Sequence, residues 1–297
     1  MTPFYRRTGA DLPFGDPRRA HGTPFEGYYW RLTDAAAGRV AIVLCGVCRD
    51  AVGPWAVVAY ACGGVVRSRI EPLAEVSFAG VDVRAGTALS ASAESLRVDL
   101  GPDARLELRF EERVGWPRWP FGGVGVGQVV PGLPQYWHPH LLGGRVVGSG
   151  WDGATVYAEK NWGPRFTEHW WWGQAQGFAE DACVAFAGGR VLGGAPTSVV
   201  VRLEDRVLRL APPFARVVTA VGEAGWRVRA RGPRWAVELE GEAAGTPAVL
   251  PVPVVAERRV EERSQQYLAG SLRVVLRRGR RVVWRGESAL AGLERWR

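Results

Sequence analysis

Lysine and asparagine are almost missing from these 297 residues: Lys160 and Asn161 are the single copies of each, and they are adjacent. Both residues draw on A-rich codons, so their loss beside an excess of Gly, Ala, Arg, Val and Pro reads as the pressure of a GC-rich bacterial genome. That pressure turns Lys into Arg wherever Arg serves. Arg is a planar permanent cation and Lys a compact ammonium that can shed its proton, so a retained lysine marks a position where the two differ. Cysteine is scarce too. Four of them exclude a disulfide scaffold and fit reduced thiols. Cys45 and Cys48 have the spacing of a zinc or redox motif, but in the strand-like AIVLCGVC residues three apart face opposite sides of a sheet, so core thiols are expected. No apolar run approaches the roughly 20 residues that span a bilayer. The first residues lack the hydrophobic centre of a signal peptide, and a cytoplasmic protein is expected.

Also missing is any stretch of about ten residues with a 3.6-residue apolar period and no Gly or Pro. Period-2 alternation takes its place. Leu96, Val98 and Leu100 point one way, and after GPDA so do Leu106, Leu108 and Phe110. WRVRA and WAVELE flank a turn at Arg231-Gly232-Pro233, and RVVLR and RVVWR flank one at Gly279. Many short strands joined by Gly and Pro turns imply an all-β chain, and its length is generous for one barrel, so two antiparallel barrels packed against each other are expected. GGVGVGQVVPGLP, residues 122–134, is glycine-rich, but Pro131 and Pro134 preclude the helix a phosphate loop must open. With QYWHPH it reads as a connection that returns to the sheet near residue 141.

Hydrophobic residues make up 47% and charged ones 23%, a globular composition; the fourteen tryptophans are the outlier. The net charge of +8 comes from arginines spread along alternating strands, which is the signature of a solvated sheet face. Nucleic acid is excluded for want of a recognition helix. Peripheral contact with an anionic membrane is the secondary reading of the charge.

Aromatic and ionisable residues crowd into PFEGYYW at 24–30 and into the span from QYWHPH to HWWWGQAQGF at 135–178. If 156–162 is extended, Tyr157, Glu159 and Asn161 share one face while Lys160 and Trp162 share the other. Glu159 is then free of the lysine, and a carboxyl facing an apolar barrel lumen is raised in pKa and stays protonated, an acid. In the second segment Trp170, Trp172, Gln174 and Gln176 share a face that can hold a flat ring and bond its oxygens. Glu26, Tyr28 and Trp30 likewise share a face. His138, His140 and His169 permit a zinc reading, set aside because His138-Pro139-His140 is as well explained by a turn.

These segments resemble the tocopherol cyclase family. Its members carry Phe-Glu-Gly-Trp-Tyr, matched by Phe25-Glu26-Gly27-Tyr28-Tyr29, and Glu-Lys-Asn-Trp-Gly before a Trp-rich strand, matched by residues 159–163 and then Trp170-Trp171-Trp172-Gly173-Gln174. The closing Ser-Ala-Leu-Ala-Gly-Leu-Glu at 288–294 is similar to the family's Ser-x-Met-Ala-Ala-x-Glu. More distantly the layout resembles the two-domain, lipocalin-like carotenoid 1,2-hydratases. The resemblance implies two lipocalin-like barrels, residues 1–165 and 166–297, with a site close to their junction. It implies a cofactor-independent and metal-free cyclase that closes a chromanol ring on a prenylated, phytyl-type hydroquinone by alkene protonation and phenol attack, as in vitamin E biosynthesis. The alternatives are a hydratase that adds water to a prenyl double bond and a non-catalytic carrier of prenyl lipid. The departures, Tyr28 for a tryptophan and Pro164-Arg165 for a glycine pair, bear on which quinol is bound.

On this reading Glu159 is the acid, oriented by Tyr157, with Glu26 as runner-up, and His138 or His169 accepts the phenolic proton. Trp162, Trp170 and Trp172 face the cation, Trp162 least directly, and Tyr28 and Trp30 line the substrate. Gln174 and Gln176 hold the quinol oxygens. Lys160 forms an ion pair at the junction or polarises a quinol oxygen, and Asn161 tolerates a strand-end conformation.

Overall fold

A computed structural model of the chain describes residues 3–77, 79–167, 169–191 and 193–296. Among them lies one short α-helix, Pro3–Arg7, and everything larger is strand. The strands form two nearly closed antiparallel barrels. The first sheet runs, in hydrogen-bonded order, through Val65–Glu71, Pro54–Cys62, Arg39–Arg49, Phe25–Asp34, Thr155–Gly163, Tyr136–Val147, Arg105–Gly115, Ser95–Asp99, Leu89–Ala91, Val83–Ala85 and Ala74–Val76. The second runs through Arg206–Leu210, Thr197–Leu203, Ala182–Gly189, Trp170–Ala175, Arg281–Trp296, Arg259–Arg278, Trp235–Glu242, Gly225–Arg231 and Arg216–Val221, with Ala248–Val254 added along Arg259–Arg278. The hairpins expected at GPDA, at Gly232 and at Gly279 are all present.

Each barrel has its own apolar interior, and a third apolar cluster joins their outer walls. The strands Phe25–Asp34 and Thr155–Gly163 are hydrogen-bonded to each other, and nearly every residue of both is buried. A strand covered on both faces cannot alternate apolar with polar, and FEGYYWRL duly lacks that alternation. Its one face fills the first barrel and its other meets the second barrel.

Residues 122–135 make a connection, as expected, but the strand resumes at Tyr136 rather than near 141. Pro139 and Leu141 sit at a register shift against Thr155–Gly163, which is how a proline is tolerated there. The thiols of Cys45 and Cys48 are free and buried, Cys45 in the first barrel's core and Cys48 in a separate small cluster with Phe25.

The chain before Phe25 folds into one end of the first barrel. Trp162 Nε1 donates to the Gly9 carbonyl at 2.8 Å, and the Trp162 indole is stacked between His21 and Tyr136. Gly9, at φ +92°, lies against the Tyr136 ring where no side chain would fit.

Candidate active site at the barrel junction

The two faces of Thr155–Gly163 carry opposite chemistry. Lys160 points into the first barrel, where its Nζ is 2.7 Å from Glu26 Oε2 and donates to the Arg19 carbonyl at 2.6 Å; neither side chain is exposed. Glu26 also accepts from Arg49 at 2.9 Å and from the Gly22 and His21 backbone N–H groups. Burial raises the Glu26 carboxyl, but Lys160, Arg49 and the backbone donors outweigh it and hold the group below its ordinary value. Burial lowers Lys160, and Glu26 works against that.

The retained Lys160-Asn161 pair follows from this packing. Tyr28 lies opposite Lys160 in the sheet, and Gly27 lies opposite Asn161. A Cβ at Gly27 would overlap Asn161 Oδ1 and the Phe25 ring, so the glycine of the first motif is the seat of the asparagine of the second. A bulkier guanidinium in place of Lys160 would have to displace His21, Glu26 and the Tyr28 ring, all in contact with the ammonium.

On the other face, Tyr157 and Glu159 look out of the first barrel toward the second. Glu159 is therefore not in a barrel lumen: the lumen-facing residues of its strand are the even ones, and the odd ones face the junction. Its Oε2 accepts three hydrogen bonds, from Trp137 Nε1 at 2.8 Å, Trp172 Nε1 at 2.8 Å and Tyr157 Oη at 2.5 Å. Among the described residues no donor reaches Oε1 and no cation pairs with the carboxyl. The side chain is 4% exposed. Burial drives its pKa up, the three donors pull it partly back, and it settles at about 7.

Glu159 lines a junction cavity of about 350 Å³. Its walls come from both barrels and from the 124–135 connection: Phe25, Tyr29 and Leu44 on one side, Trp170, Trp172 and Glu294 on the other, with Val130 and Leu133 between. Phe25, Phe166 and Trp170 form a chain of rings with centroids 4.3 and 5.5 Å apart. Tyr29 presents its ring edgewise to Trp172 and accepts from Gln266 Nε2 at 2.7 Å. An apolar recess with one convergent polar cluster and a shifted carboxyl is what a site for an apolar ligand with an acid at its wall requires.

Of the residues expected from sequence, Glu159, Asn161, Trp170 and Trp172 line this cavity, and Tyr157 holds Glu159 from behind. The others are elsewhere. Glu26 and Lys160 are spent on each other, and Tyr28, Trp30 and Trp162 fill the first barrel, because the even face of Thr155–Gly163 and the face it pairs with turn inward. The Tyr28 side chain belongs to that core, and Tyr28 also borders the cavity. His138 pairs with Lys160 across the sheet and is buried on the same inner side, where burial holds its pKa well below the ordinary histidine value. His169 is exposed, at φ 54°, against Trp296. Neither histidine can serve the cavity. Gln174 and Gln176 are on the expected face but behind the cavity wall, bonded to Cys183 Sγ at 3.6 Å and to the Val156 carbonyl at 3.3 Å. Asn161 is in mid-pairing with Gly27, not at a strand end.

Trp137, Tyr29 and Glu294 were not foreseen. Extending the strand alternation through QYWHPH places Trp137 opposite Tyr136 and His138, on the Glu159 side, and reading Pro139 as a turn hid it. Tyr29 is the cross-strand partner of Glu159. Among the described residues no group of His, Cys, Asp and Glu could hold a metal ion, and no helix is long and apolar enough to cross a membrane.

Residues 148–295 match the family described as Tocopherol cyclase-like, a range that leaves out the first motif at 25–29. No curated protein matches the chain in sequence. Among solved structures, CghA is similar with a TM-score of 0.61 at 11% identity, covering 92% of this chain and 88% of its own; CghA with Sch210972 gives 0.60 at 12%, with the same coverage. Kievitone hydratase from Nectria haematococca gives 0.50 at 10%, covering 94% and 90%. At these identities the likeness is one of fold, two barrels joined wall to wall. The match over residues 148–295 takes in Glu159, the indole strand and the closing Glu294, and by it the chain belongs to the tocopherol cyclase-like family.

Proposed function

We propose that this protein closes a chromanol ring on a prenylated hydroquinone by protonating the alkene nearest the aromatic ring, with Glu159 as the acid and no cofactor. One observation carries the reading: a buried carboxyl that borders an apolar cavity, has no cationic partner among the described residues, and takes all its donors on a single oxygen. Its other oxygen is left to hold the proton toward the ligand. A pKa of about 7 suits both halves of the task, since the acid is substantially protonated near neutrality yet acidic enough to give the proton up.

The donors have a second use. As the proton leaves, charge develops on the carboxylate, and Trp137, Trp172 and Tyr157 are already aimed at the oxygen that receives it. The alkene becomes a tertiary cation, which the faces of Trp170 and Trp172 stabilise by about 1–2 kcal/mol each once desolvated. The phenolic oxygen then captures the cation. Glu159 is itself buried and the cavity lining is largely apolar, which favours that capture over hydration.

Prenylated hydroquinones incubated with the protein are expected to give a product of unchanged mass that has lost one phenolic hydroxyl. Glu159→Gln is expected to slow this by roughly 10²–10⁴-fold while leaving quenching of tryptophan fluorescence by the quinol intact. A product heavier by one water would identify a hydratase. Quinol that is bound and returned unaltered would identify a carrier.

A further inference from the structure

The junction cavity contains a second carboxyl for which the scheme above has no use. Glu294 belongs to the strand Arg281–Trp296 and is paired across the sheet with Trp172. Its Oε1 accepts from Trp170 Nε1 at 2.6 Å and from Ser264 Oγ at 2.8 Å. Trp170 and Trp172 point the same way from positions two apart on one strand, about 6.5 Å from Cα to Cα. One indole N–H is spent on each carboxyl: Trp172 on Glu159 and Trp170 on Glu294. Glu159 comes from the first barrel and Glu294 from the second, so a ligand held between the barrels meets both.

We propose that Glu294 is the base that takes the phenolic hydrogen as the ring closes. The assignment rests on the reading of Glu159 as the acid. In the forward step the O–H bond of Glu159 breaks and the alkene π pair forms a C–H bond, leaving the cation on the more substituted carbon. A lone pair of the phenolic oxygen forms the C–O bond, the O–H pair stays on that oxygen, and its proton passes to the Glu294 carboxylate. The product is an isomer of the substrate. One proton has moved from Glu159 to Glu294, and its return after product leaves restores the enzyme without any outside reagent.

The surroundings sort the two roles. Glu159 has almost no exposure and Glu294 keeps a little, and Trp170 and Ser264 both donate to one oxygen of Glu294, which favours its ionised form. The Glu294 carboxylate adds a small upward push to the Glu159 pKa, well behind burial, which helps Glu159 keep its proton. Burial raises Glu294 as well, against the pull of Trp170 and Ser264. None of the four histidines lines the cavity: His21, His138 and His140 are buried away from it and His169 is on the surface.

The test combines kcat/KM against pH with infrared titration of the Glu159 carboxyl, in the wild type, Glu294→Gln and Glu159→Gln. The wild type is expected to give a bell: the alkaline limb falls as Glu159 loses its proton near pH 7, and the acid limb falls as Glu294 gains one. Glu294→Gln should cut kcat roughly 100-fold at neutral pH and abolish the acid limb. It should also shift the Glu159 midpoint downward, because a like charge has gone. A bell with both limbs intact in Glu294→Gln overturns the assignment, as does an unmoved Glu159 midpoint, a readout that needs no turnover. If instead Glu159→Gln turns over as fast as the wild type, the acid reading itself has failed, whatever Glu294 does.

Discussion

Two buried glutamates lie on adjoining strands, and the protein treats them in opposite ways. Glu26 faces into the first barrel and is kept charged by Lys160, Arg49 and two backbone N–H groups. Glu159 faces the other barrel, meets two indoles and a phenol, and is kept largely neutral. The first arrangement is spent on holding the plugged end of a barrel. The second leaves a proton available. Residue type therefore says little about which glutamate is chemical; the sign and reach of the neighbours decide it.

The contrast can be broken most forcefully at Lys160. Lys160→Met leaves Glu26 charged, buried and short of its closest partner, and should cost about 3–5 kcal/mol in urea unfolding, as removal of one member of a buried pair does. The pH dependence of stability sharpens the comparison next. The folded-state pKa of Glu159, about 7, lies above that of an unfolded glutamate, so its favourable contribution is complete below the unfolded value and is lost as pH rises through 7. Glu26 is held below its ordinary value, so its contribution is present above that range and lost as pH falls through the folded value. Between pH 5 and 7 the wild type should accordingly lose about 2–3 kcal/mol that Glu159→Gln does not, measured as the difference in unfolding free energy across that window.

The smallest effect concerns the seat that joins the two motifs. Gly27→Ala should destabilise by about 1–2 kcal/mol, since the new methyl meets Asn161 Oδ1 and the Phe25 ring. In Gly27→Ala with Asn161→Ala much of that should return. A double-mutant cycle with coupling below about 0.5 kcal/mol would show that the glycine is there for another reason.

Much of this was legible beforehand because β structure has a strict period. Alternation and turn residues gave the hairpins, the all-β class and the separation of Glu159 from Lys160 onto opposite faces. The same rule put Trp170 and Trp172 together. Parity names faces without saying what each face meets, however. Glu26, Tyr28 and Trp30 were grouped correctly and then assigned to the ligand, when their face is the interior of the first barrel. Glu159 was assigned to a lumen when the outer face of its barrel is the covered one. That outer face is buried only because a second barrel docks on it, a long-range fact with no local signal except the missing alternation in FEGYYWRL. Pro139 concealed Trp137, because a proline in a strand at a register shift reads like the end of the strand. Glu294 stood in a recognised motif, yet only tertiary packing brings it beside Trp170 and Ser264.

The connection from Val147 to Thr155 is closed by hydrogen bonds of Val146 and Gly153 with Ala154 and Val146, and of Gly148 with the Asp152 carboxyl. It fixes how Thr155–Gly163 is threaded between its neighbours. Slippage by one residue would carry an ammonium to the junction cavity and set the Glu159 carboxyl against Glu26, inverting the electrostatics of both compartments at once. The separation of the two compartments is thus encoded in alignment as much as in identity, and a tight bend at the far end of the strand acts as its custodian.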